Sequence, residues 1–494
     1  MAKFNLCDDP WIPIAGSCER KSLIGCFTGP PPLRLSGNAV DKIVIFRFLL
    51  AVVHAANRIP DTEAWLALTP EIMAANARSY LEAHRDCFDL YGERPFLQFP
   101  QLEKLGGKVA SPGSLMVSIA EGNKVVHSGW NRFRGLSEAE KAVLLLRSAC
   151  YACGGKKFDK TLCLSPGVVK GATGSAGTLL GFMGFLHAYM LGDTLWETLR
   201  LNLLTEDDLR EINSWQEGMG KPFWEEMPDG EIGTRADSYR KSYQGQLVPL
   251  DKFLFLSGDG IIKTSGITYP GHKEGLIDPA LTITTEGKNI RAAWARTEER
   301  PWRQLPALLA FLKSSSHAQP YFLSMGMEKL RRLHPERCAV WVGGVAVSSN
   351  SGEQYLSGTN DYVESVFLFA TDYIRGASYQ LFSRMMEDLE KMAKRLYASV
   401  VGYYTKVPGK DNAANQATRA KSVFWERMEP HAQEILELAF AEENREAIRE
   451  ARNVWFARLC QVYDEFCPRD TPRQMTAWVE AHPGFRSSNK KGER

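Results

Sequence analysis

Long hydrophobic runs are missing from this chain, and so is any excess of charge of one sign. Its 494 residues carry 60 Lys/Arg against 58 Asp/Glu, a net charge of +2, so the overall electrostatics do not announce a nucleic-acid or membrane partner. The most apolar windows are interrupted. Asp41, Lys42 and Arg47 break the 38–56 segment, and the 176–192 segment is short, glycine-rich and carries His187. A membrane-spanning helix needs about 20 predominantly apolar residues, so no membrane span is expected. The opening MAKFNLCDDPW lacks the apolar core of a signal peptide. Ten cysteines, at 7, 18, 26, 87, 150, 153, 163, 338, 460 and 467, are scattered, and a chain of this size has no need of disulfide staples. A reducing cytoplasm is the expected compartment.

The signatures of catalysis are also absent. Nine histidines are dispersed with no H-E-x-x-H and no adjacent His-Asp pair. The run Gly171-Ala-Thr-Gly174-Ser-Ala-Gly177 lacks the G-K-[ST] ending of a phosphate-cradling loop. No G-x-S-x-G elbow and no dinucleotide fingerprint are present. Hydrolase, nucleotidase and oxidoreductase readings each lack their minimum parts, and no enzyme activity or cofactor is expected. Cys150-x-x-Cys153 offers half of a zinc site, with Cys163 and His187 as the nearby candidates to complete it. No second C-x-x-C follows, and both thiols lie on an expected buried helix, where cysteine behaves as a small hydrophobe. No metal is expected.

What is present is the composition of a folded protein, 44% hydrophobic and 24% charged, too long for a single core. The pattern predicts an α+β fold: a large mixed α/β N-terminal domain over 1–360, then a C-terminal four-helix bundle over 361–494. The first thirty-odd residues read as short strands and turns. Helices are expected over the apolar stretch from Asn38, from Pro70 to about Cys87, and from about 138 to 153, where Ser137 and Glu140 form a capping box and Gly154-Gly155 a stop. A further apolar helix is expected through about Leu191. KFLFL and IIKTSGI, split by Gly258-Asp259-Gly260, read as one hairpin, and LTITT with IRAAWA as another. Helical spacing then covers 362–403, 412–440, 443–466 and 471–481. From 361 onward twenty Lys/Arg balance twenty Asp/Glu, so the bundle reads as scaffold or partner surface.

Charge is concentrated elsewhere. Between Lys104 and Ser175 eleven Lys/Arg face four acids, +7 in 72 residues, which leaves about −5 for the rest of the chain. Lysines interleaved with glycine let a backbone approach phosphates and donate N–H groups, and Trp130 or Phe133 can stack on or wedge a base. A solvated basic surface loop accounts for the composition equally well.

Three phrases bear on that choice. FNLCDDPWIPI at the start, FDLYGERPFLQ at 88–98 and AKSVFWERMEPHAQEIL at 420–436 together resemble CasA, the large-subunit family of the type I-E CRISPR surveillance complex Cascade. The resemblance implies a non-catalytic subunit that reads the protospacer-adjacent motif in double-stranded DNA through the minor groove. It further implies that the subunit helps open the duplex for the guide RNA, works beside the other Cascade subunits and recruits a separate helicase-nuclease. Four family elements find counterparts. EGNKVVHSGWNRFR resembles a first DNA-contacting loop, with Lys124, His127, Trp130 and Asn131 as its candidates. Gly154 and Gly155, beside Lys156, match the glycine loop. Lys263 matches the lysine finger, with Lys273 its rival. Gln354, with Asn350 as neighbour, matches the wedge that parts the first base pair, although this segment departs from the family's N-N-Q pattern. The cysteine-rich knuckle of some members is absent.

Overall fold

A computed structural model describes residues 3–112, 135–151, 161–168, 184–269, 278–286, 289–297, 299–309, 320–333, 337–350, 353–355, 361–370, 376–407, 412–440 and 445–484. The chain divides into two compact units, 1–366 and 367–494, and its class is α+β, a large mixed unit followed by a helical bundle.

The first unit is built around helix α1 (Ala39–Ala56), capped by Asn38, whose side chain accepts from the Asp41 N–H. Fourteen of its eighteen residues are buried, as expected of a helix apolar on every side. Against it pack α2 (Pro70–Ala83), α3 (Glu138–Cys150) and, after strand β1 (His187–Leu191), helix α4 (Leu195–Leu201). A hairpin follows, β2 (Lys252–Ser257) and β3 (Gly260–Ser265), then a second, β4 (Ile283–Glu286) and β5 (Asn289–Ala292), both antiparallel. Helix α5 (Tyr321–Leu333) leads into β6 (Arg337–Val345), the short hairpin β7 (Ser348–Asn350) and β8 (Glu353–Tyr355), and β9 (Tyr362–Ala370). The central sheet has the order β9-β6-β1.

Rings join this sheet to α1: Phe46 stacks on Tyr189 at 4.0 Å between centroids, and Tyr189 on Trp341 at 4.7 Å. Arg47, fully buried on the same helix, pairs with Asp278 at 2.5 Å and donates its Nε to the Leu247 carbonyl at 3.2 Å. Burial alone would raise the Asp278 pKa, but the Arg47 guanidinium and His187 outweigh it and hold the carboxyl below its ordinary range.

The second unit is helical: α6 (Gly376–Tyr404), α7 (Ala413–Met428), α8 (Ala432–Phe440), α9 (Arg445–Phe466) and α10 (Pro472–Ala481). Helix α6 packs against all four others. Its stripe Phe382, Met385, Leu389, Ala393, Leu396, Val400 and Tyr403 is buried, a three-four spacing that keeps one helix face inward.

Several expected elements need correction. The apolar segment ending at Leu191 closes as strand β1, not helix. All five of its residues are buried, and a short apolar run without alternation does not distinguish a buried strand from a helix. The start of the first C-terminal helix is likewise a strand, since 362–370 alternates buried Val363, Phe367 and Phe369 with exposed Val366 and Leu368. The helix expected to reach 153 stops at Cys150, with Tyr151 already extended at φ −120°. The 412–440 helix is split by a 3-10 turn at Glu429–His431, where Pro430 removes a backbone donor. The helix from Pro70 ends at Ala83, ahead of a 3-10 turn at Arg85–Phe88.

Candidate nucleic-acid interface

The β2–β3 hairpin carries Lys263 and is the platform of the candidate site. Its turn runs through Gly258, whose φ of +57° favours glycine. Lys263 is half-buried and lies opposite Leu254 in the register. On the far edge of β3, Ile261 and Ala110 exchange two hydrogen bonds of 2.9 Å, so the backbone around Ala110 extends the hairpin by a third rung. That approach depends on missing side chains: a Cβ at Gly107 would lie 2.4 Å from the Ile262 side chain, and one at Gly260 2.2 Å from that of Val109. The edge of β2 is occupied too. Leu254 O accepts from Phe99 N–H at 2.8 Å, Leu256 N–H donates to Gln98 Oε1 at 2.9 Å, and Ser257 Oγ donates to Glu103 at 2.7 Å.

The same hairpin holds the end of α3, which starts with the expected capping box of Ser137 and Glu140. Asp251 N–H donates to Ala149 O at 3.3 Å, and Lys252 Nζ to Tyr151 O at 3.3 Å. Thr264 Oγ1 donates to Leu162 O at 2.7 Å. Ala110, Tyr151 and Leu162 are thus all fixed on one hairpin.

The hairpin of Lys263 thus also binds Ala110, which precedes the basic stretch 121–134, and Tyr151 and Leu162, which lie on either side of the basic stretch 154–160. The residues within those stretches, Lys124, His127, Trp130, Asn131, Gly154, Gly155 and Lys156, lie outside the described residues, as does Lys273. Asn350 and Gln354 belong to a separate two-stranded hairpin, β7–β8, which follows the central sheet after Val345. In its register Asn350 pairs with Glu353 at the turn end, and Gln354 pairs with Ser349 one position further from the turn.

Among the described residues Cys150, Cys163 and His187 form no ligand group. Cys150 is fully buried on α3, and burial pushes its thiol up to about 12. Cys163 Sγ donates to Val168 O at 3.4 Å, and His187 sits in β1 opposite Gly343. Cys153 lies outside the described residues. Among the described residues no group of three His, Cys, Asp or Glu is placed to hold a metal, and no helix is long and apolar enough to cross a membrane.

The CRISPR-associated protein Cse1 family matches residues 5–465. The chain belongs to that family. The structure of Thermus thermophilus CasA, also called Cse1, is similar to this chain with a TM-score of 0.73 and 19% identity, covering 97% of this chain and 98% of the other. The Thermobifida fusca Cse1 structure matches at 0.69 and 19%, with 97% and 93% covered. A chain from a CRISPR RNA-guided surveillance complex matches at 0.69 and 17%, with 98% and 99% covered. At these identities the structural likeness speaks for the fold. No curated protein matches the sequence. The family match bears out the CasA resemblance of the three sequence phrases. Lys252, Thr264 and Glu231 carry no signal in the sequence, because the backbone atoms they bind, those of Tyr151, Leu162 and Leu164, lie 101, 102 and 67 residues away.

Proposed function

We propose that this chain is the non-catalytic large subunit of an RNA-guided CRISPR surveillance complex, where it binds double-stranded DNA and reads a short flanking motif through the minor groove. It then helps open the duplex and recruits a helicase-nuclease. The observation that carries the reading is a Cse1-family chain whose Lys263 hairpin also fixes the backbone beside both basic stretches. In this reading Lys263 enters the minor groove. Gly154 and Gly155 allow close approach beside Lys156, while Lys124, His127, Trp130 and Asn131 contact the flanking duplex. Gln354, with Asn350 beside it, parts the first pair. Base pairing to the guide RNA supplies sequence specificity, so the protein needs only to read the motif and start the melting. The minor groove offers a degenerate set of acceptors, and one lysine beside glycine backbone suits tolerant reading with strong salt dependence. Such a subunit works in the cytoplasm, in contact with the other Cascade subunits and guide RNA.

The test is binding of motif-bearing duplex by the assembled complex. Lys263→Ala and Gly155→Asp each weaken it about tenfold, the loss expected for one contact in a groove. Affinities equal to the parent's overturn the site. Crosslinks from 121–134 and 154–160 to guide RNA alone, with none to duplex, favour a purely structural assembly role instead.

A further inference from the structure

We propose that Lys252, Thr264 and Glu231 are positioning residues: Lys252 and Thr264 seat the backbone at Tyr151 and Leu162 on the Lys263 hairpin, Glu231 holds the adjoining Leu164 and Ser165, and together they set where a duplex meets that hairpin. The inference rests on the DNA-reading function proposed above and adds residues that touch no nucleic acid.

At the entering end, α3 finishes at Cys150 and the next carbonyl, that of Tyr151, accepts from Lys252 Nζ at 3.3 Å. Lys252 is only 7% exposed. At the leaving end, Thr264, fully buried, donates to Leu162 O at 2.7 Å. Two residues on, the Glu231 carboxylate, 7% exposed, accepts from the N–H groups of Leu164 at 3.1 Å and Ser165 at 2.8 Å. Ser165 Oγ donates to Ile232 O at 3.3 Å and accepts from Ile232 N–H at 3.2 Å. The approach requires glycine at 230, where a Cβ would stand 2.2 Å from Ser165 Oγ.

Burying an ammonium or a carboxylate is unfavourable unless hydrogen bonds offset it. Each charge places hydrogen bonds on main-chain atoms, Lys252 on Tyr151 O and Glu231 on the N–H groups of Leu164 and Ser165, which fixes backbone position. Thr264 and Lys263 are successive in a strand, where side chains point to opposite faces. As Thr264 grips Leu162 on one face, Lys263 is presented on the other. A strand held in place presents Lys263 at lower entropic cost, so the anchors act on affinity for the motif without making a contact of their own.

The experiment compares assembled complexes carrying Thr264→Val, Thr264→Ser, Glu231→Gln and Lys263→Ala, each bound to motif-bearing and motif-free duplex across a salt series, with melting temperatures recorded. Thr264→Val and Glu231→Gln are expected to weaken motif-bearing duplex about fivefold, the order of one lost hydrogen bond. Motif-free binding and the salt slope should stay unchanged, because no phosphate contact is removed. Thr264→Ser, which keeps the hydroxyl, should bind like the parent. If Lys263→Ala weakens binding while Thr264→Val and Glu231→Gln do not, the positioning role is wrong. If Lys263→Ala is also silent, the DNA-reading function itself fails. Equal loss on both duplexes, unrescued by serine, reduces the three residues to general stability and overturns the proposal. Should Thr264→Val not assemble, Glu231→Gln decides alone on the same readouts.

Discussion

His54 lies inside the first unit at 4% exposure, edge-on to Tyr243 at 5.2 Å between ring centroids, and neither ring nitrogen has a hydrogen-bond partner among the described residues. Burial first, then the nearby Lys329 charge, push its pKa down to about 3, against a smaller opposing pull from Asp208. The folded chain therefore holds His54 neutral while the unfolded chain protonates it near its ordinary value. The unfolded state binds the extra proton between those two values, so stability is lost as pH falls through that window. Between pH 7 and 5 the loss from this one group is about 2 kcal/mol. Urea unfolding at the two pH values should show it, and His54→Phe should remove most of the difference; an unchanged difference would place the titration elsewhere. At this scale the sequence showed which side chains exist but not which are dry. It listed His54 among nine dispersed histidines and Lys252 among sixty basic residues, because burial and backbone partners belong to the folded chain.

Among the elements, α6 was the easiest to read. Its inward stripe is spaced as a helix requires, and Leu396 at its middle is fully buried. Leu396→Ala should destabilise the second unit by about 2–5 kcal/mol, the usual cost of a buried leucine truncated to alanine, measured by chemical denaturation. Exposed Val454 on α9, at 51%, makes the control, since its truncation removes little buried area. The capping box of α3 was equally legible, because a cap is a local contact. Strands β1 and β9 were misread for the opposite reason. Their apolar content is that of a core segment, and strand partners far along the chain, such as Trp341 facing Tyr189, decide whether it pairs or coils.

At the scale of the whole molecule the chain separates at Val366, inside β9, and each part keeps contacts of its own. In the second unit Gln433 brackets Leu368, accepting from its N–H at 3.2 Å and donating to its carbonyl at 2.9 Å. Phe369 meets Phe440 edge-on at 5.5 Å. The last residues of the strand therefore belong energetically to the bundle. A piece beginning at 367 should melt cooperatively as a helical protein, and one beginning at 376 several degrees lower, since a loss of about 1 kcal/mol moves the midpoint of a domain this size by roughly 4 °C or less. Circular dichroism melts check both, and equal midpoints would show that 367–370 contribute nothing to the bundle.

By itself the sequence determined the α+β class, the helical C-terminal part, the two main hairpins and the Cse1-family membership that its three phrases resemble. Those features depend on local periodicity, turn chemistry and the order of motifs along the chain, which a linear reading retains. Only the tertiary structure decided that β1 and β9 are strands and that the Lys263 hairpin fixes Ala110, Tyr151 and Leu162. Burial, strand partnership and hydrogen bonds spanning a hundred residues arise when distant segments meet, and nothing in the order of neighbours encodes which segments those are.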